Sequence, residues 1–222
     1  MNLKKIAAAA IMAVGASASY AAPSCTLGAG NVGITTFACT VDNITNTILI
    51  TETYTFMGMG SVQISGLELG SNYTVTKRVT NSTGVDWTRM ANELLDPRGQ
   101  ANDAEDPVVQ PAFVPVGWTT SNNNDGLSFA QGSGIPRTST VFGSVFSDEL
   151  TDARDFIDFF GATALNGSSF AMSFGLRNSS ALNDPFLLVQ RANESSRVPE
   201  PGTLALVGLA IAGLGFGARR RG

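Results

Sequence analysis

Histidine is absent from all 222 residues of this chain. Without it there can be no Ser-His-Asp triad, no Cys-His pair, no histidine-ligated zinc or haem and no histidine pH switch. A Gly-x-Ser-x-Gly elbow and a phosphate-cradling glycine motif are also missing. We therefore expect the protein not to be an enzyme. The alternative is a secreted glycosidase, because that chemistry needs only two suitably spaced carboxylates.

Basic residues are scarce, with 14 Lys and Arg against 18 Asp and Glu and a formal net charge of −4. Five of the basic residues lie near the two ends, so the stretch from Ala22 to Arg197 is more acidic still, and Lys77 is its single lysine. Such a charge repels phosphate backbones and anionic headgroups, so we exclude nucleic acid and anionic lipid as partners. Abundant Gly, Ser, Thr and Asn between short apolar runs is typical of an exported all-β domain.

The N-terminus has the pattern of an export signal. Two lysines precede an apolar run from Ile6 to Val14, and Ser19-Tyr20-Ala21 places small residues where signal peptidase needs them. We expect a signal peptide at residues 1–21, with the translocon and signal peptidase as partners. The exported body then covers residues 22–197, a length that suits one domain.

Only two cysteines occur, Cys25 and Cys39, both early in the exported body. In an oxidising compartment they are expected to form a disulfide. A reactive thiol is the alternative, but it needs an activating base, and none is visible near either cysteine.

The C-terminus combines a short motif, an apolar segment and a basic cluster. In order these are Val198, Pro199, Glu200 and Pro201, then Thr203 to Ala218, then Arg219, Arg220 and Arg221. As a helix the apolar segment spans roughly 24 Å, slightly short of a hydrocarbon core of about 30 Å. The arginines stop transfer and place the C-terminus in the cytoplasm, and the prolines keep the motif extended. A buried core helix is the alternative interpretation of the apolar segment.

This order of parts resembles the PEP-CTERM signal of Gram-negative bacteria, a tail family also labelled ice-binding protein C-terminal. The resemblance covers residues 198–222. It implies that an exosortase in the inner membrane recognises the tail and cuts near the Pro-Glu-Pro motif. It also implies transient anchoring through a transmembrane helix at 203–218, followed by delivery to the outer envelope, the cell surface or the extracellular matrix.

Alternation with a period of two is the clearest signal in the body. Between Ile44 and Phe56 apolar side chains alternate with threonines, which predicts a half-buried strand. Asn46, Leu49 and Glu52 break this pattern without reversing it. Further strands are predicted at Val62 to Leu69 and at Tyr73 to Thr80, where Lys77 occupies one of the apolar positions. Three successive strands indicate an antiparallel meander or Greek key. The predicted fold class is an all-β, antiparallel β-sandwich of jelly-roll or Greek-key type.

The stretch from Thr76 to Leu95 contains a strand, a turn at Asn81-Ser82-Thr83-Gly84 and then Trp87. This order resembles the β-sandwich body of many PEP-CTERM cargo proteins. We expect Trp87 to anchor the core, and a sugar-stacking platform is the alternative.

Farther along, Phe156 to Phe160 and Ser169 to Arg177 are predicted to form a hairpin across Asn166-Gly167. A short helical turn is predicted to begin at Ser147, and a final strand at Phe186 to Val189 is expected to close the sheet.

Periodicity is lost between Asp96 and Gly126, which predicts long acidic loops with a short strand at Val108 to Val116. Extracellular carboxylates suit Ca²⁺, which binds about six to eight oxygens. The candidate ligands are Asp103, Glu105, Asp106, Asn124 and Asp125. Their spacing matches no EF-hand or nonapeptide calcium repeat, so solvated loops are the alternative, and no other cofactor is expected.

A structural or adhesive role alongside exopolysaccharide is the function that these features favour. The alternative is a carbohydrate- or calcium-binding module that uses the acidic loops with Trp87 or Trp118. These two differ in whether a tryptophan and the acidic loops share one exposed surface. A secreted hydrolase, the third interpretation, requires a deep cleft with two facing carboxylates.

Overall fold

Two β-sheets packed face to face make up the described part of the chain, which in the computed structural model comprises residues 22–101, 110–149 and 154–194. Sheet A contains β1 (Ser24–Leu27), β4 (Gly60–Ser65), β13 (Phe186–Ala192), β6 (Trp87–Pro97), β11 (Phe156–Ala164), β10 (Ser144–Asp148) and β7 (Trp118–Thr120). Sheet B contains β2 (Ile34–Asp42), β3 (Thr47–Tyr54), β5 (Asn72–Asn81), β12 (Ser169–Asn178), β8 (Leu127–Ser128) and β9 (Thr138–Ser139). A short 3-10 helix spans Ala181–Asn183. The predicted all-β class is confirmed.

Strands pair in the order β1-β4-β13-β6-β11-β10 in sheet A, with β7 beside the end of β6. Sheet B has the order β2-β3-β5-β12, and β8 and β9 both pair with β12. Among the described strands every pair is antiparallel except β3 with β5, which is parallel. The predicted meander is wrong, because β4 belongs to the opposite sheet and lets the chain return to β5 in the same direction as β3.

The alternation that predicted strands also sets which side chains face the core. In β3 and β5 every second residue is buried, and β12 buries all four residues predicted to point inward, Phe170, Met172, Phe174 and Leu176. The first predicted strand is shorter than expected. Ile44 is 95% exposed and Phe56 61% exposed, and both lie outside β3.

The hairpin predicted across Asn166-Gly167 is wrong. β11 forms where Phe156 to Phe160 predicted a strand, but it pairs with β6 and β10, whereas β12 pairs with β5. The turn at 166–167 therefore carries the chain from sheet A to sheet B. Ser147 lies in β10 and does not begin a helix, and residues 150–153 of the predicted helical turn fall outside the described ranges.

The last strand, β13, lies in the middle of sheet A between β4 and β6, and does not close the sheet at an edge. Every residue of β13 is buried. Its outward side chains are covered by the segment that precedes β7. A small apolar cluster forms there from Leu95, Leu187 and Val189 with Met59, Phe113, Val114 and Trp118. Residues 110–116 are not a strand, so the strand predicted from Val108 to Val116 is absent over that described part.

A disulfide joins Cys25 of β1 to Cys39 of β2, with the two Cα atoms 5.9 Å apart. The predicted pairing is confirmed. Because β1 belongs to sheet A and β2 to sheet B, the cystine connects the two layers at the start of the described chain.

Removing this cystine should lower the free energy of unfolding by about 3 kcal/mol, because the unfolded chain regains the entropy of an open loop. Urea denaturation of Cys25→Ser/Cys39→Ser, followed by tryptophan fluorescence, measures the change. The matched control is Thr26→Ser/Thr40→Ser, which alters two exposed neighbours and should leave stability unchanged. Equal unfolding free energies for the cysteine variant and the oxidised wild type would contradict the expectation.

Candidate functional site

β13 is the last strand before the C-terminal tail. The residue that follows it, Asn193, attaches the end of β13 to the start of β6. Asn193 adopts a left-handed backbone with φ of 59°. Its amide nitrogen donates to the carbonyl of Arg89 at 2.9 Å, and its side-chain oxygen accepts from the amide of Thr88 at 2.8 Å. Its side-chain nitrogen donates to the carbonyl of Asp86 at 3.0 Å. The tail therefore follows a central strand of sheet A. Hydrogen bonds from both the backbone and the side chain of Asn193 hold the end of that strand in place.

The predicted processing segments all fall outside the described residues. They are the signal peptide at 1–21, the motif Val198, Pro199, Glu200 and Pro201, the segment Thr203 to Ala218, and Arg219, Arg220 and Arg221. Across residues 22–101, 110–149 and 154–194, none of the helices combines the length and apolar character that crossing a membrane requires.

One tryptophan is buried and the other is partly buried. Trp87 is completely buried, with its ring edge-on to Tyr54 at 5.2 Å and to Phe170 at 6.1 Å between centroids. Its indole nitrogen donates to the hydroxyl of Thr83 at 3.1 Å. The prediction of a core anchor is confirmed, and the sugar-stacking alternative for Trp87 is wrong. Trp118 is half buried in the apolar cluster on the outer side of sheet A.

In the described part of the acidic loop, the side chains form hydrogen bonds with backbone amides of the same loop. Asp125 is buried, and its two carboxylate oxygens accept from the amides of Asn122 at 3.0 Å and Leu127 at 2.7 Å. Asn124 donates its amide to the side chain of Asn122 at 2.9 Å. Asp103, Glu105 and Asp106 lie outside the described residues. Among the residues that are described, no three carboxylates or cysteines are grouped as a metal site would need.

Five polar side chains meet in the middle of the sandwich, between the two sheets. Lys77 of β5 and Glu52 of β3 form a fully buried ion pair, with Nζ 2.9 Å from Oε1. Gln190 of β13 comes from the other sheet. Its Oε1 accepts from Lys77 Nζ and, at 3.1 Å, from the hydroxyl of Tyr54, while its Nε2 donates to Glu52 Oε2 at 3.2 Å. Asn92 of β6 places Oδ1 3.3 Å from Lys77 Nζ.

Burial changes the proton affinities in this central network. Loss of solvation lowers the pKa of the Lys77 amine, while the charge of Glu52 and its hydrogen bond act in the opposite direction. Loss of solvation also raises the pKa of Tyr54 well above its ordinary value, and the negative charge of Glu52 adds to that effect. Tyr54 therefore stays a hydrogen-bond donor, and Lys77 is closer to a neutral amine than a solvated lysine is.

A second charged cluster lies on the outer side of sheet A. Glu93 of β6 accepts hydrogen bonds on both carboxylate oxygens from Arg154, and one from Arg191 Nη2 at 2.9 Å. The guanidinium carbons of Arg191 and Arg154 lie 3.7 Å and 5.3 Å from the ring centroid of Phe113. Burial raises the pKa of Glu93, opposed by the two arginines. This cluster attaches the segment before β7 to the sheet.

Asp155 is another buried carboxyl group, and its charged form is disfavoured. Its Oδ2 accepts from the hydroxyl of Ser121 at 2.7 Å. Burial raises its pKa to about 8, against the effect of the Ser121 hydrogen bond and with added repulsion from Asp125, Glu149 and Asp148. Asp155 is therefore largely protonated at neutral pH. Nearby Glu149 forms an ion pair with Arg137.

Sequence reasoning did not identify the central network, although its signal was present. Glu52 and Lys77 each occupy an apolar position of an alternating strand, and the structure turns both side chains inward. Two opposite charges at inward positions of separate strands are the signal of a buried pair. Gln190 and Asn92 had no comparable signal, because no alternation was recognised around either of them.

Replacing Asp155 with asparagine should make stability less dependent on pH. The folded-state pKa of about 8 lies above the unfolded value of about 3.9. The stabilising contribution of this group is therefore fully present below about pH 4 and is lost as the pH rises through about 8. Between these two pH values, the wild-type free energy of unfolding should therefore fall as the pH rises, with a slope on the order of 1 kcal/mol per pH unit.

Urea denaturation at several pH values between about 5 and about 8 tests this slope. Asp155→Asn should lack it. Glu68→Gln, which changes an exposed side chain, should retain the wild-type dependence and serves as the control. Identical pH profiles for Asp155→Asn and the wild type would show that Asp155 is ionised in the folded protein across this range.

Comparison with protein families identifies the tail. Residues 197–221 match the family model described as the PEP-CTERM protein-sorting motif, which confirms the resemblance drawn from residues 198–222. The match covers the tail and leaves the sandwich body unassigned. Comparison with curated proteins gave no match. This chain therefore carries a PEP-CTERM sorting motif at its C-terminus, which implies an exosortase as its processing partner and export to the cell envelope or surface.

Proposed function

We propose that this protein is a structural or adhesive component of the cell envelope or extracellular matrix that associates with exopolysaccharide. The sorting motif at 197–221 is the observation that carries the proposal. In this scheme the translocon exports the chain and signal peptidase removes residues 1–21. Residues 203–218 then anchor it in the inner membrane until an exosortase cuts near Glu200. The body acts after release as a stable module and not as an enzyme.

The use of the buried carboxylates supports a structural role. Glu52 pairs with Lys77 between the sheets, Glu93 binds two arginines, and Glu149 pairs with Arg137. Each of these carboxylates therefore joins segments that are separated in sequence. A glycosidase instead needs two carboxylates that face a bound sugar from either side of the scissile bond. These three carboxylates thus connect parts of the fold and do not face solvent.

The relative directions of the first and last strands of sheet A also favour a role in which the protein resists mechanical tension. β1 pairs antiparallel with β4, and β4 pairs antiparallel with β13, so β1 and β13 run parallel. The chain consequently enters sheet A at Ser24 and leaves it past Ala192 at opposite ends. A force applied between these ends loads the hydrogen bonds along β4 together. Such shear resists extension better than peeling, in which bonds break one at a time.

Processing by the exosortase should be visible in the mass of the protein recovered from its native host. The surface form should run from Ala22 to about the Pro-Glu-Pro motif, because both terminal signals are removed. Glu200→Ala should stay in the membrane fraction with its arginine cluster, because the motif is damaged. Glu194→Ala, which changes an exposed glutamate before the motif, is the matched control and should be processed. A surface form that still carries Arg219 to Arg221 would overturn exosortase processing.

Enzymatic degradation of the matrix polysaccharide tests the proposed association with exopolysaccharide. The processed protein should remain with washed matrix and enter the supernatant when the polysaccharide is enzymatically degraded. A heat-inactivated preparation of the degrading enzyme is the control and should release little. If the protein is already free in the medium, or stays insoluble after the polysaccharide is removed, the proposed association is wrong.

A further inference from the structure

The central network brings an amine, a carboxamide and a carboxyl group together in the buried interior between the two sheets. We propose that Lys77 and Gln190 form an intramolecular isopeptide bond, in which Lys77 Nζ replaces the side-chain nitrogen of Gln190 and ammonia is released. The bond would connect β5 of sheet B to β13 of sheet A. This inference depends only on the body and is independent of the sorting tail and of the proposed function.

The nucleophile is a lysine with no exposure to solvent. Lys77 Nζ is in hydrogen-bond contact with Gln190 Oε1 and lies 2.9 Å from Glu52 Oε1. Bond formation requires the nitrogen to move from Oε1 to the adjacent carbon Cδ of the same carboxamide. Burial lowers the pKa of this amine, which favours the neutral form that carries a free electron pair. Once the amine is aligned with Cδ, holding it beside the amide in a fixed site favours the reaction, since well-oriented intramolecular reactions reach effective concentrations of about 10⁵ to 10⁸ M.

The carboxyl group of Glu52 is placed to move the protons. Its Oε1 faces the nucleophile Lys77 Nζ at 2.9 Å, and its Oε2 accepts from Nε2 of Gln190, the leaving nitrogen, at 3.2 Å. Both distances are within the range for direct proton transfer. Tyr54 donates its hydroxyl to Gln190 Oε1 at 3.1 Å. That hydrogen bond stabilises the negative charge that this oxygen acquires when the amine adds.

The atoms and electrons balance without another reactant. Glu52 first takes a proton from the lysine ammonium, leaving a neutral amine and a carboxylic acid. The electron pair of Nζ then bonds to Cδ of Gln190, and the carbonyl electrons move to Oε1. As the carbonyl re-forms, the bond from Cδ to Nε2 breaks and Nε2 takes the proton from Glu52. Nζ finally gives its extra proton to Glu52, and ammonia leaves.

Asn92 is the competing carboxamide, and its geometry is less suitable. Its Oδ1 lies 3.3 Å from Lys77 Nζ. Its nitrogen, however, donates to the main-chain carbonyls of Met90 at 3.4 Å and Ile157 at 3.5 Å. Attack on Asn92 would therefore expel a nitrogen that lacks the acid needed to protonate it. In Gln190 the leaving nitrogen and the nucleophile contact the same carboxylate, so we assign the bond to Gln190.

Peptide mapping of the folded wild-type protein decides the matter. The intact mass should be lower than the sequence mass by one ammonia, in addition to the two hydrogens lost in the cystine. Proteolysis and fragmentation should yield one branched peptide in which Lys77 is joined to Gln190. A full mass with separate Lys77 and Gln190 peptides would overturn the proposal. So would a bond to Asn92, or an ammonia loss confined to a succinimide at Asn166-Gly167.

Variants test the assigned roles. Gln190→Met removes the carboxamide and Glu52→Gln removes the proton carrier, so both proteins should keep the ammonia. Asn92→Leu tests the choice between the two carboxamides: it removes the competing one and should still show the branched peptide. Retention of the bond in Gln190→Met would overturn the assignment. If a variant fails to fold, the wild-type peptide map still decides whether the bond exists.

Discussion

The buried charge of Lys77 is the constraint on which the arrangement of the two sheets depends. An ammonium without a partner in a dry interior costs several kcal/mol, so the fold is tenable only if other groups surround it. Glu52 reaches it because β3 and β5 pair in the register that sets Ile50 opposite Lys77. A slip of one residue would turn Lys77 outward and bring Thr76 or Arg78 into the core. One side chain therefore fixes the register of the parallel pair.

The same charge also determines how sheet A lies over sheet B. Gln190 and Asn92 contact the Lys77 amine from neighbouring strands β13 and β6. Gln190 and Asn92 must therefore lie side by side on the two strands, both facing the Lys77 amine. Apolar packing alone tolerates small shifts of one sheet over the other, because it has little directional preference. Hydrogen bonds to a buried cation have narrow distance limits, and so they select a single alignment.

How far the fold could be predicted is clear from particular strands. Alternation identified β3, β5 and β12 and the inward faces of all three, because a period of two reports directly on which face of a sheet is buried. Alternation does not report which strand is the neighbour. The predictions of a meander and of a hairpin at Asn166-Gly167 were wrong for that reason. The connections on either side of β4, and the turn between β11 and β12, each carry the chain from one sheet to the other. The sorting tail was recognised because its three parts are adjacent in sequence, whereas the central network joins β3, β5, β6 and β13 and exists only after folding.

The two covalent links between the sheets, one observed and one proposed, act on the first and last strands of the body. The cystine attaches β1 to β2, and the Lys77 to Gln190 bond would attach β5 to β13, the strand that leads into the sorting tail. The cystine requires an oxidant, whereas the isopeptide bond requires only that the core has closed over Lys77. A solvated lysine stays protonated and does not attack an amide. The bond would therefore form only in bodies that have folded, and it would secure the strand through which any tension on the exported C-terminus enters the domain.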